Sequence, residues 1–214
     1  MTPRRPRSRS ALDPRRALVG IAADQRGVFT RSDALRAGVD PASLTYHVGT
    51  GALERVGRGV YRVSHYPRSR EDAAVEALKA LGDEAVLSHE SALALYDVSD
   101  VAPSQIHVTI PRARRYRAAP FDDLVLHTIS RPLEVWEVDQ HHGFRSTSLA
   151  RSIVDAARTG TAPEQIVAAV RNGLRRGMLT RNNLAPAVAR APRRVKALIE
   201  QGISEAAAAR SSPS

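Results

Sequence analysis

Imidazoles on neighbouring strands can share a zinc ion, and His107 and His127 lie in two such segments, Gln105 to Ile110 and Leu124 to Ile129. No third ligand stands at a diagnostic spacing, so both read as ordinary sheet histidines and no metal site is assigned. Ser88 and His89 are adjacent, but neighbours on a helix diverge by about 100°, which rules out a nucleophile–base pair. Asp122-Asp123, Glu134, Glu137 and Asp139 offer hard oxygen ligands, yet acidic loops and strand edges are far commoner than cation sites. The chain has no glycine-rich phosphate loop, no Gly-x-Ser-x-Gly elbow and no His-Glu-x-x-His. Ala77 and Arg194 stand two before the only lysines, Lys79 and Lys196, which excludes the simplest acid-x-Lys nuclease. With no cysteine there is no thiolate nucleophile. No catalytic residue is assigned and no cofactor is expected.

The residues better suited to chemistry read rather than react. Asp40-Pro41 starts a helix over about Pro41 to Thr50, with the aspartate as N-cap and the proline at the first helical position. Leu44 and Val48, four apart, define its buried stripe. Ser43, Tyr46 and Thr50 then face away, with Thr45 and His47 on the flanks. Hydroxyls, one aromatic and one imidazole suit base edges and phosphates.

The elements around that helix must present it. Thr30 caps a short helix over Arg31 to Ala37, and Gly38 supplies the left-handed residue that ends it. Two helices joined by so few residues must cross, as in a helix-turn-helix. From Leu53 to Val63 the period becomes that of strands, with Gly57-Arg58-Gly59 at the turn. This hairpin is the wing, with Arg58 at its tip. Pro14 to Arg26 precedes it as the first helix. The expected DNA contacts are Arg31, Ser43, Thr45, Tyr46, His47, Thr50, Arg58 and Arg62, on double-stranded promoter DNA.

Charge follows the same division. Residues 1–68 hold 13 arginines against five acidic residues, a net of +8, while the remaining residues carry +2 of the total +10. A basic module joined to a nearly neutral one points to a nucleic acid partner for the first. Residues 1–13 read as a disordered basic arm carrying Arg4, Arg5, Arg7 and Arg9. The winged helix occupies 14–66, a second domain 69–209, and a tail 210–214. The apolar run Ala17 to Ala23 is too short to span a membrane, so no membrane partner is expected and a cytoplasmic, nucleoid-associated location is.

The second domain reads as α+β. Helices are expected at Ser69 to Leu81, from Ser88 to Tyr96, and in four segments from Thr147 to Ala209. Strands are expected at Gln105 to Ile110, Leu124 to Ile129 and Leu133 to Val138. Two basic clusters, Arg112, Arg114 and Arg115 in the first strand connection and Arg175 and Arg176 further on, are candidate partner contacts.

Four motifs in order carry a resemblance: Leu53 to Tyr61 (LERVGRGVY), Leu87 to Leu93 (LSHESAL), Ile106 to Pro111 (IHVTIP) and Thr147 to Asp155 (TSLARSIVD). Over roughly residues 14–185 the chain resembles the AbiEi-like antitoxins of type IV toxin-antitoxin systems. The resemblance implies a winged helix that binds the operon's own promoter as an autorepressor, a C-terminal antitoxin domain, and a nucleotidyltransferase-like toxin as cognate partner. The last motif reads Ser148-Leu-Ala-Arg151 where the family often has Ser-Pro-Glu-Arg. Arg151 and Asp155 are matched and can pair on one helix face, a structural role. Two other readings stand beside this one: a nuclease or modifying enzyme targeted by the winged helix, and a transcription regulator whose second domain senses a ligand.

Overall fold

Capping side chains and left-handed glycines cut the first part of the chain into short elements. A computed structural model describes residues 14–114 and 121–211, and the arm arginines, Arg115 and Arg117 lie outside them. Its contacts form two units that divide between Ala80 and Leu81. Described helices and small sheets make the architecture α+β, as expected.

The first unit runs α1 (Pro14–Ala23), β1 (Val28–Thr30), α2 (Arg31–Arg36), α3 (Pro41–Gly49), β2 (Leu53–Gly57), β3 (Val60–Val63) and α4 (Asp72–Leu81). Thr30 and Asp33 form a reciprocal capping box that starts α2. Gly38, at φ +81°, turns the chain out of it. The wing pairs antiparallel, and β1 adds a third strand on the far side of β3. Leu18, Ala22, Phe29, Ala34, Val39, Leu44 and Leu53 form one buried cluster. By the transfer free energy of apolar surface, each large member stabilises the unit by roughly 1.5–3 kcal/mol.

The sequence reading opens the second domain with α4. In the structure this helix is tied to the winged module by Asp72 and Glu76, which hold the guanidinium of Arg62 at 2.5 and 3.3 Å. Lys79 also donates to Gln25 at 2.6 Å.

The second unit begins with β4 (Val86–Leu87), α5 (His89–Leu95), β5 (Ile106–Pro111) and β6 (Leu124–Ile129). It continues with β7 (Val138–His141), β8 (Phe144–Thr147), α6 (Leu149–Thr159), α7 (Pro163–Arg175), α8 (Arg181–Ala189) and α9 (Arg193–Ser211). The sheet order is β6-β5-β4-β8-β7, parallel between β5 and β6 and between β4 and β8, antiparallel elsewhere. Its helical core includes Leu93, Leu149, Ile153, Ile166, Val170, Val195 and Ile199. A Cβ added at Gly202 would lie 2.7 Å from that of Val170, so α7 and α9 meet backbone to side chain there.

The expected strand at Leu133 to Val138 is not one. Residues Val135–Glu137 form a 3-10 turn, with Val135 exposed and Glu137 buried, although a strand would put both on one face. The cause is electrostatic. Arg131 grips both oxygens of Glu137 at 2.6 and 2.7 Å, and Arg151 reaches it at 2.6 Å. A carboxylate so paired is drawn inward, and the strand starts only at Val138.

Candidate nucleic-acid interface

Helix α3 is built as its sequence demands. Asp40 accepts from the backbone N–H of Ser43 at 2.9 Å, and the Ser43 hydroxyl donates to its second oxygen at 2.9 Å. These bonds hold the Asp40 carboxyl below the usual carboxylate range. Leu44 is buried and Val48 half-buried, so the stripe points inward.

On the outer side Tyr46 is 67% exposed and meets His47 edge-on, with ring centroids 5.4 Å apart. The hydroxyls around it are less free than the sequence suggests. Ser43 serves the cap, Thr45 donates to the Pro41 carbonyl at 3.0 Å, and Thr50 to the His47 carbonyl at 3.2 Å. Tyr46 and His47, with Thr50, Gly51, Ala52 and His65, line a shallow depression at the end of the helix. His65 is not among the expected contacts, because it follows the wing at no helical or strand spacing that would place it there.

The wing turns through Arg58 and Gly59, the latter at φ +72°. Arg58 is exposed at the tip. Arg31, also exposed, donates its backbone N–H to the Gly59 carbonyl at 2.8 Å, which ties the start of α2 to the wing. Two cationic side chains are thereby held on one rim.

Arg62 is a correction. The sequence places it among the DNA contacts, yet its side chain has no exposed surface and is enclosed by Asp72 and Glu76. Strand β3 buries Val60 and Arg62 on the same face, and the acids that receive the guanidinium lie on the following helix. Burial raises the Glu76 carboxyl more than the Arg62 and Arg68 charges lower it.

In the second unit Arg112 and Arg114 are exposed at the end of β5, and Arg114 pairs with Glu84 at 3.1 Å. Arg175 is exposed at the end of α7, while Arg176 donates to the carbonyl of Asp97. The two clusters are thus on different elements, and Arg176 also serves to pin the chain after α5. Arg151 pairs with Asp155 at 2.6 Å as expected, and Glu137 joins them. Glu137 and Asp139, considered above as cation ligands, are engaged by the arginines and by the Tyr96 hydroxyl at 2.7 Å.

His107 and His127 do adjoin, Nδ1 to Nε2 at 3.1 Å, and His89 stacks on His127 with centroids 3.5 Å apart. Burial first, and the neighbouring rings second, push His89 to about 3; the same causes push His127 to about 4. His107 is lowered by burial, with Glu90 opposing.

A helix pair joined by a short turn, a hairpin wing in a three-stranded sheet and an outward aromatic on the second helix define a winged-helix module of the kind transcription regulators use. Residues 16–64, from α1 through β3, match the family model described as transcriptional regulator, AbiEi antitoxin. The match is confined to this segment, and over it the chain is similar to that family, as the resemblance read from the sequence expects. The crystal structure of RV2827C protein from Mycobacterium tuberculosis is similar in fold, with a TM-score of 0.61 at 16% identity over 90% of this chain and 77% of that one. Such a likeness is one of fold alone. No curated protein matches the chain. Among the described residues no helix is long and apolar enough to cross a membrane.

Proposed function

We propose that the protein is an antitoxin that binds its own promoter through the winged helix and represses transcription, while the second unit counteracts a nucleotidyltransferase-like toxin of a type IV system. The observation that carries the DNA half is Tyr46, exposed on α3 with the half-buried His47 against it, together with the exposed Arg31 and Arg58, inside the segment that matches an antitoxin regulator family. In this reading α3 enters the major groove, Tyr46 reaches base edges, and the two arginines hold phosphates. The phosphates set register and the aromatic sets preference.

Toxin antagonism is indirect in this reading. The helical core of the second unit is made of its own buried residues, and Arg151–Asp155 and Arg131–Glu137 are paired within that unit. Neither feature resembles the large apolar face of an obligate complex. The test is paired. Fluorescence anisotropy of the whole chain on its upstream DNA and on a scrambled duplex should show preference for the former. Co-expression with the toxin should restore growth without a complex surviving size exclusion. Equal affinity for both duplexes would remove the autorepressor assignment, and a stable toxin complex would replace indirect by direct neutralisation.

A further inference from the structure

The histidines of the second unit make more than a pair. His89, at the head of α5, brings a third imidazole to His107 on β5 and His127 on β6, and the ring nitrogens they offer all lie within 4.8 Å of one another. Among the described residues this is the cluster whose ligand atoms converge in this way. We propose that His89, His107 and His127 form a binding site for one divalent transition-metal ion, zinc by preference, held by three imidazole nitrogens where β5, β6 and α5 meet.

Distance supports it. Two nitrogens bound to one tetrahedral zinc at 2.0–2.1 Å stand roughly 3.3 Å apart. His107 Nδ1 and His127 Nε2 are already 3.1 Å apart. The ring nitrogen that His89 offers lies within 4.8 Å of both, so a small displacement brings it to the same ion. Binding requires both strand histidines to present lone pairs, so the proton they share in the metal-free hydrogen bond moves to an outer ring nitrogen, His107 Nε2 or His127 Nδ1.

The surroundings orient the rings as ligands are oriented. His89 Nδ1 meets the Ser88 hydroxyl at 2.9 Å, and that oxygen accepts from Thr109 at 2.8 Å, leaving Nε2 of His89 for the metal. The Ser91 hydroxyl accepts the His107 backbone N–H at 2.9 Å and donates to the Gln105 carbonyl at 3.1 Å, which fixes the strand segment that carries His107. His89 also holds φ at +52°, a left-handed conformation uncommon outside glycine that aims its ring at the strands rather than along the helix.

The donor set selects the ion. Imidazole suits zinc, copper, nickel and cobalt, whereas magnesium and calcium demand oxygen. Three protein ligands leave one tetrahedral position for water. Arg151 is the nearby cation that opposes a metal here, and Glu137 and Asp155 neutralise it. The site does not depend on the DNA-binding or antitoxin reading.

The test uses the full chain, stripped with chelator and titrated with zinc against a chromophoric competitor. One equivalent should bind, cobalt should give the visible bands of a tetrahedral nitrogen site, and zinc but not magnesium should raise the melting temperature. Since removing a mere orienting partner costs about 10–100-fold, His107→Gln or His127→Gln should weaken zinc by at least about 100-fold. His142→Gln, an exposed histidine on the β7–β8 turn, should leave it unchanged. Should a variant fail to fold by circular dichroism, the wild-type cobalt spectrum and melting shift decide alone. The proposal is overturned if the folded wild type takes up no zinc, if its cobalt spectrum is octahedral, or if folded His107→Gln and His127→Gln bind zinc as tightly as wild type.

Discussion

Arg62 and Asp72 close an ion pair of 2.5 Å in which the guanidinium has no exposed surface, joining the wing's central strand to α4. Removing one partner of such a pair leaves a buried charge unmatched, at a cost of about 3–5 kcal/mol. Arg62→Ala should therefore lower the urea midpoint strongly, while the fraction that stays folded binds DNA with wild-type affinity. A normal midpoint with weakened DNA binding would return Arg62 to the interface.

Tyr46 and Ser43 should separate by function. Tyr46→Ala should weaken promoter binding more than binding to random duplex, by about 1–3 kcal/mol if the ring or its hydroxyl reads a base. Ser43→Ala should change helix stability instead, because its hydroxyl is spent on Asp40. Competition anisotropy with the two duplexes distinguishes them, and equal losses for Tyr46→Ala on both would give that residue a phosphate-positioning role.

The rim arginines should act through salt. For every phosphate that a side chain ceases to neutralise, the log–log dependence of affinity on salt flattens by about 0.9. Arg58→Ala and Arg31→Ala are each expected to flatten it with sequence preference retained. An unchanged slope would leave the wing tip out of the interface.

Acid should act on Glu137. Burial raises its carboxyl, but the bonds from Arg131, the Glu134 N–H and Arg151 outweigh burial and bring it from the ordinary 4.5 to about 2. A carboxyl lowered on folding stabilises fully above its unfolded value, and that contribution fades as pH falls from about 4.5 toward 2. Asp155, raised by burial, runs the other way and offsets part of it. Glu137→Gln should be much less stable than wild type at pH 7 by urea titration, with the gap narrowing toward pH 2; a gap independent of pH would mean the charge is not what matters.

What the sequence discloses is local. Asp40-Pro41, Gly38, the Leu44–Val48 stripe and the Arg58-Gly59 turn each act through their own backbone, and each appears where the residues require it. Arg62 eludes such a reading because β3 alternates Val-Tyr-Arg-Val, with an apolar residue on either face; the choice is made by Asp72 and Glu76, ten and fourteen residues on. Leu133 to Val138 has the composition of a strand, but Arg131 and Arg151, which draw Glu137 inward, flank the segment from outside it. By sequence His89 is a poor partner for Ser88, yet the two side chains meet at 2.9 Å, because Ser88 stands at the N-cap of α5 in extended backbone and His89 takes a left-handed φ, so the divergence of helix neighbours does not apply. The relation of His89 to His107 and His127 depends on strand pairing, which no spacing encodes.

Strand β4 has two residues, yet among the described residues it is the sole link between the β5–β6 ribbon and the β7–β8 ribbon in the sheet, with one residue pair, Leu87 and Ser146, on the β8 side. The sheet thus has a seam. Either ribbon can part from the other without losing any of its own ladder, so hydrogen exchange should find two cooperative blocks that meet at Val86 and Leu87, where a five-stranded sheet would ordinarily open as one.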